Sequence, residues 1–142
     1  MAFKFEKLEV WQQSLEYIDT IYKLAAQLPE SERFNLGSQI TRAATSINLN
    51  IAEGSTGQTD AEQARFLGLA IRSLIETVAC QHMIHRRGWL HDKADLRQAY
   101  REAGTLAARL QAMRKSIAPD QTWIREDPID YTTDVEKEPW AD

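Results

Sequence analysis

Residues 59–88 read TDAEQARFLGLAIRSLIETVACQHMIHRRG and contain a helix start signal, a helical apolar pattern and a stop signal. Thr59 and Glu62 have the spacing of a capping box, in which each side chain hydrogen-bonds a backbone N–H of the other residue. Apolar residues then recur every three or four positions. Gly88 follows two arginines, which suit the negative end of the helix dipole, and it is expected to end the helix. The stretch therefore predicts one helix over residues 60–87.

The same periodicity on either side of this stretch predicts three more helices. Pro29 and Pro119 each end one of them, because proline lacks an N–H and disfavours helical backbone just before it. Gly54 is the expected C-terminal cap of the second helix, and Asp92 is suited to cap the fourth. The predicted helices cover residues 8–28, 34–53, 60–87 and 92–117.

The predicted core consists of the apolar residues at helical spacing. Each helix contributes one stripe of them, since residues three and four apart share a face. The apolar positions are Trp11, Leu15, Ile18, Tyr22 and Ala25, with Tyr17, Ile21, Leu24 and Leu28 beside them; Leu36, Ile40, Ala43, Ala44, Ile47 and Ile51; Phe66, Leu67, Ala70, Leu74, Val78 and Met83; and Leu96, Tyr100, Ala103, Leu106, Leu110 and Met113.

Four helices of this length joined by short loops predict an all-α fold. Short connections place consecutive helices side by side, which gives an antiparallel up-down-up-down four-helix bundle about 30 to 40 Å long. The bundle occupies residues 1–117. Residues 118–142 form an acidic, aromatic-containing tail that we expect to be extended, with its aromatic residues docking it to the bundle. This tail should be separable from the fold.

Charge divides the chain at the same place. Residues 118–142 contain eight acidic and two basic residues, a net charge of -6, whereas the whole chain has a net charge of -4. The bundle is therefore mildly basic at +2, and the acidic balance belongs to the tail. The start of the chain resembles no signal peptide and no apolar run is long enough for a membrane span, so we expect a cytoplasmic protein that does not enter a membrane.

The sequence contains no recognisable catalytic constellation. It has no Gly-rich phosphate loop and no nucleophile elbow. A di-iron bundle needs Glu-x-x-His pairs, and the residues three positions before His82 and His85 are Ala79 and His82. These histidines, with His91, have the spacing of a metal site, but exposed or helix-end histidines fit the pattern better. Cys80 is expected to be a small buried residue, and no enzyme activity and no cofactor are predicted.

One polar stripe stands out on the second helix. Its members recur at steps of three or four and so share a face. Two asparagines lie in the helix interior, where asparagine is a poor helix former, so another interaction must hold them there. The alternatives are a solvated face and a hydrogen-bonded network buried between helices or subunits, and we favour the network. The stripe consists of Gln39, Arg42, Ser46, Asn50 and Glu53.

This region carries a family resemblance. Residues 39–54, QITRAATSINLNIAEG, resemble the signature of the four-helix-bundle proteins encoded in 23S rRNA intervening sequences, a bacterial family. Residues 8–12 (LEVWQ) are similar to the family's opening, and residues 66–76 (FLGLAIRSLIE) to its third-helix pattern, although the family usually has Gly where Arg72 stands. The resemblance covers about residues 3–115.

The resemblance implies a homopentamer around a central channel, and it implies no established activity. A related group, the accessory variability proteins of retroelements, is also pentameric and binds nucleic acid and a reverse transcriptase through basic surfaces. The genes' location in rRNA insertions makes RNA, or a nucleic-acid enzyme, an attractive partner, although this is association rather than mechanism. The candidate nucleic-acid contacts are Arg86, Arg87, Lys93, Arg97 and Arg101.

Two functions follow as alternatives. The first is a non-enzymatic, homo-oligomeric accessory factor that binds RNA; symmetry would repeat a basic patch on every copy and so compensate for the low charge of one bundle. The second is a structural or protein-interaction module without nucleic-acid binding. Assembly itself is expected because Val10, Trp11, Trp89 and Leu90 add apolar surface beyond the stripe that a lone bundle needs.

Overall fold

The computed structural model describes residues 3–57, 59–119 and 139–140. Short 3-10 turns at Lys4–Lys7 and Glu30–Glu32 precede the first and second long helices. Within the described residues the regular structure is otherwise helical, with no strand. This confirms the predicted all-α class with four long helices. The helices are α1 (Glu9–Ala25), α2 (Leu36–Gly54), α3 (Asp60–Arg87) and α4 (Ala94–Ile117).

The predicted Thr59 cap at the start of α3 and the predicted Gly88 stop at its end are confirmed. The Thr59 hydroxyl accepts a hydrogen bond from the Glu62 backbone N–H at 3.1 Å, which satisfies one of the donors that a helix start leaves without a partner. Gly88 adopts the left-handed conformation with φ of 68°, which glycine tolerates without steric cost.

The prediction for Gly54 was wrong in its reason. The residue lies inside α2, and Ser55 follows it with right-handed backbone, so no left-handed cap is formed. A Cβ at Gly54 would instead lie 2.8 Å from Cβ of Phe66. The missing side chain lets α2 approach α3 closely where the two helices meet.

Interhelical contacts define how the helices run. Between α1 and α4, Gln13 meets Arg109 and Thr20 meets Glu102, so the numbering falls on one helix as it rises on the other. The core lies along the common axis, where side chains such as Ile21, Ile47, Leu74 and Leu106 are almost fully buried. The helices α1 and α4 thus face each other in antiparallel orientation, and the four helices enclose one apolar core.

Several side chains predicted to face the core do not. Leu15, Tyr22 and Met83 are 42%, 53% and 45% exposed. They lie at the edges of their helical stripes, where a four-helix bundle leaves the flank of each helix uncovered.

The predicted surplus apolar patch was also placed wrongly. Val10 is buried, whereas Trp11, Trp89 and Leu90 are half-buried and pack against the core. Trp11 also contacts the Phe5 ring, whose centroid is 4.8 Å away. These residues close the ends of the bundle rather than leaving an open surface.

A small polar network lies inside the core. The Tyr17 hydroxyl on α1 is 2.6 Å from Thr77 Oγ1 on α3 and accepts from Gln81 Nε2 at 2.9 Å. Thr77 donates its own proton to the Leu74 carbonyl, so Tyr17 donates to Thr77. Burial raises the pKa of Tyr17 well above its usual value of 10.0, because desolvation disfavours the phenolate.

Only the last part of the predicted tail can be located. Trp123 and the neighbouring acidic positions lie outside the described residues, whereas Trp140 is 3% exposed and packs against the core. This contact agrees with the expectation that aromatic residues dock the tail to the bundle, and the separability of the tail from the fold stays a prediction. No helix in the described ranges has both the length and the apolarity to cross a membrane.

Candidate functional site

The polar stripe of α2 lies on the outer surface of the single chain. Gln39, Arg42 and Glu53 are exposed, and Ser46 and Asn50 are half-buried. The stripe borders α3, because Ser46 Oγ accepts a hydrogen bond from Ser73 Oγ at 3.0 Å, a contact that joins the two helices.

The middle of the stripe satisfies its own hydrogen bonds. Asn50 Nδ2 donates to the Ser46 carbonyl at 2.8 Å and to Ser46 Oγ at 3.0 Å. Asn48, the second asparagine of α2, is buried on the other side of the helix and donates to Ser14 Oγ on α1 at 3.0 Å. These bonds are the additional interactions that hold the two asparagines inside a helix.

The charged ends of the stripe do not meet within one chain. Arg42 and Glu53 are eleven residues apart on the same straight helix, which separates their backbones by about 16 Å. Among the described residues neither takes part in an ion pair. Any pairing between these two positions must therefore join different copies of the chain.

Four of the five predicted nucleic-acid contacts lie at one end of the bundle. Arg86 and Arg87 are exposed in the last turn of α3, and Lys93 and Arg97 lie at the start of α4 across the short connection. The grouping follows from the short connection, because six residues join the C-terminus of α3 to the N-terminus of α4.

Arg101 has different surroundings. It lies one turn further along α4 and lines a groove of about 480 Å³ between α1 and α4. Carboxylates of Glu16, Asp19 and Glu102 line the same groove. These carboxylates make the groove unfavourable for a phosphate, so Arg101 is less suited to contact nucleic acid than the other four basic residues.

Sequence reasoning missed an aromatic pocket at the same end of the bundle. Trp140 lies against His82 and His85 of α3 and Tyr100 of α4, with ring centroids 4.9, 5.4 and 5.1 Å from its own. Lys93 Nζ approaches the Trp140 carbonyl at 3.4 Å. The available signal was the unusual aromatic content of an acidic tail, but that pattern does not identify the partner of each ring.

The cysteine and the histidines of α3 have structural surroundings. Cys80 is buried, and burial raises the pKa of its thiol above the ordinary value; a raised pKa disfavours the thiolate that a nucleophile requires. Within the described part of the chain, no three histidine, cysteine or carboxylate side chains group as metal ligands. His82 and His85, which the sequence offered as metal ligands, instead contact Trp140.

Taken together, these features define an all-α bundle whose distinctive polar and basic groups lie on its outside. The model of the 23S rRNA-intervening sequence protein family matches residues 6–112, which include all of α1, α2 and α3 and most of α4. The chain belongs to this family. The matched region includes the α2 stripe and the basic end, and it stops before Trp140. Comparison with curated proteins gives no match.

Proposed function

We propose that this protein is a non-enzymatic, homo-oligomeric accessory factor that binds RNA through the basic end of its bundle. The observation that carries the proposal is the grouping of Arg86, Arg87, Lys93 and Arg97 around the connection between α3 and α4. Clustered positive charge is what phosphate binding requires. Membership of a family named for rRNA insertions agrees with an RNA ligand.

Exposed apolar side chains support self-assembly. Leu15 and Tyr22 project from α1, Leu49 from α2, and Ile75 and Met83 from α3, each between 42% and 57% exposed. Such side chains on several faces exceed what one bundle needs for its own core. A closed ring buries the same surfaces on every copy. The family resemblance selects five copies.

Assembly also gives the outer ends of the α2 stripe a role. Arg42 and Glu53 have complementary charges and cannot reach each other in one chain. A ring in which the α2 stripe faces a neighbouring copy brings an arginine of one subunit to a glutamate of the next. It also repeats the basic end around the ring, which raises the charge presented to one RNA molecule.

Sedimentation equilibrium at micromolar protein concentration tests the assembly. A pentamer has about five times the 16.3 kDa mass of the chain. A monomer at this concentration would contradict both the ring and the argument from repeated charge.

A salt series of RNA-binding measurements tests the ligand. We expect wild-type affinity for structured RNA to fall steeply as salt rises. The double variant Arg86→Ala/Arg87→Ala should bind more weakly, with a salt slope that is shallower by about 0.7 to 0.9 for each phosphate that the variant leaves unneutralised. Lys4→Ala/Lys7→Ala removes the same charge from an exposed turn before α1 and serves as the control. Equal binding by both double variants would contradict the assigned surface. Absence of RNA binding, with capture of a protein partner, would favour the interaction module.

A further inference from the structure

Trp140 occupies a pocket in which three aromatic rings contact its indole. His82 and Tyr100 meet its indole edge-on, at interplanar angles of 70° and 73°, and His85 is tilted by 31°. His82 and Tyr100 also contact each other across the α3–α4 groove, with centroids 6.4 Å apart. The pocket therefore accepts one flat, bicyclic ring from outside the four helices.

Positive charge surrounds this pocket. Lys93 lies within reach of the Trp140 carbonyl. Arg86 is one helical turn from His82 on α3, and Arg97 is one turn from Tyr100 on α4, so each lies on the same helical flank as a pocket ring. The site combines a slot for a flat ring with a basic rim.

The sequence around Trp140 shares two features with a nucleotide, a flat ring and nearby negative charge. The chain reads EPWAD at residues 138–142, an aromatic ring with a carboxylate on either side. A nucleobase between two phosphates presents the same combination of a flat ring and flanking negative charge. His and Tyr rings stack unpaired bases in RNA-binding proteins, and arginines contact the adjacent phosphates.

The docked indole of Trp140 also has an unsatisfied hydrogen-bond donor. Its Nε1–H is buried and has no hydrogen-bond acceptor among the described residues. A buried donor without an acceptor lowers the stability of the docked state. The missing acceptor therefore favours replacement of the Trp140 indole by another ring whose polar atoms lie at other positions.

We propose that the pocket of His82, His85 and Tyr100 holds an unpaired nucleobase of RNA, with His82 and Tyr100 in edge-on contact and His85 tilted against it, and that Trp140 occupies the same pocket in the free protein. The inference rests on the proposed RNA binding and assigns its site. Trp140 is then an intramolecular competitor, so single-stranded RNA binds only as the indole leaves. Duplex RNA keeps its bases paired and gains nothing from the pocket.

Fluorescence anisotropy with labelled oligoadenylate of about 12 nucleotides, and with duplex RNA of the same length, tests this competition. Trp140→Ala is expected to bind the single strand about tenfold more tightly than wild type, because the competitor is gone. Two double variants, Trp140→Ala/Tyr100→Ala and Trp140→Ala/His82→Ala, are each expected to bind the single strand about tenfold more weakly than Trp140→Ala alone. Phe34→Ala removes an exposed aromatic ring from the segment before α2 and is the control.

Circular dichroism identifies any variant that loses helicity. Because His82 is exposed, His82→Ala is expected to stay folded and to keep the test valid if Tyr100→Ala unfolds. Addition of a peptide with the sequence of residues 136–142 to the Trp140→Ala protein is expected to displace the oligoadenylate. Salt-dependent binding that none of the pocket changes alters would overturn the pocket and leave the proposed function intact. Binding of the peptide without any binding of RNA would overturn both.

Discussion

Two groups of polar side chains on the helices have opposite surroundings. In the core, Tyr17, Thr77 and Gln81 are fully or nearly fully buried and hydrogen-bond one another at 2.6 and 2.9 Å. On the surface, Arg42 and Glu53 mark the ends of the α2 stripe, exposed and without an ion pair among the described residues. Apart from Gln81 Oε1, which is buried without a hydrogen-bond partner among the described residues, the first group is satisfied within one chain. The two charges of the second group have no ion-pair partner among those residues.

The difference separates what the stability of one bundle requires from what the proposed assembly would require. A polar group inside a core must find a partner in the same fold, because an unsatisfied buried group costs about 1–3 kcal/mol. A charged group at the surface has water as its partner and contributes little by itself. The charged stripe of α2 is therefore the surface at which the proposed assembly can be tested.

The largest effect is expected at the surface stripe in the assembled protein. Glu53→Ala should lower the free energy of unfolding by about 3 kcal/mol or more, because it leaves Arg42 of a neighbouring copy buried without its partner. Chemical denaturation of the oligomer, followed by circular dichroism, measures this change. Asp19→Ala removes an exposed carboxylate from α1 and is the control, with an expected change within about 0.5 kcal/mol.

Dilution sharpens this prediction. Where the oligomer dissociates, Glu53→Ala and wild type should unfold with nearly the same free energy, because in one chain Glu53 is solvated. No loss of stability in the oligomer would show that the stripe is a solvated face.

The next effect is expected in the core. Tyr17→Phe should lower the free energy of unfolding by about 2 kcal/mol, because the Gln81 amide N–H loses its acceptor while it remains buried. Tyr22→Phe removes the same hydroxyl at an exposed position of the same helix and should be nearly neutral. The loss at Tyr17 should not depend on protein concentration. Equal effects of the two changes would mean that water replaces the missing partner.

The sequence predicted the all-α class because its start and stop signals are local. Thr59 starts α3 and Gly88 ends it through contacts within one helical turn, so the bounds of α3 could be predicted directly. Periodicity identified the faces of the helices but not the width of the buried stripe. Tyr22 and Met83 show this limit, since their exposure depends on how far the neighbouring helix extends across each flank.

The candidate site was predictable only where it is local along the chain. Arg86, Arg87 and Lys93 fall at one end of the bundle because a short connection joins α3 to α4. The pocket around Trp140 could not be predicted, because it joins residues more than fifty positions apart in sequence. Periodicity places a histidine on a helix face, but it does not identify which distant ring covers it.

A smaller effect is expected at alkaline pH. Burial raises the pKa of Tyr17 in the folded state above the unfolded value of 10.0. The stabilisation by the neutral hydroxyl is therefore fully present below pH 10 and declines as pH rises above it, by up to about 1.4 kcal/mol per pH unit. Urea denaturation at pH 9 to 11 should show a steeper loss for wild type than for Tyr17→Phe, whose remaining slope reports the other groups. Parallel slopes would contradict the burial of a titrating hydroxyl.

The smallest effect is expected at Ser73, a half-buried residue of α3 that contacts the surface stripe of α2. Its hydroxyl donates to Ser46 Oγ, which also accepts from Asn50, so Ser73→Ala leaves Ser46 with a partner. Removal of this bond should cost about 0.5 to 1 kcal/mol, offset in part by the higher helix propensity of alanine. Ser116→Ala on α4 gains the same propensity and removes only a bond to the Met113 carbonyl within its own helix. The difference between the two variants in thermal or urea unfolding therefore isolates the α2–α3 bond. If the difference is independent of protein concentration, Ser46 stabilises the fold of one chain. If the difference grows as the oligomer forms, Ser46 contributes, with Arg42 and Glu53, to the contact between copies.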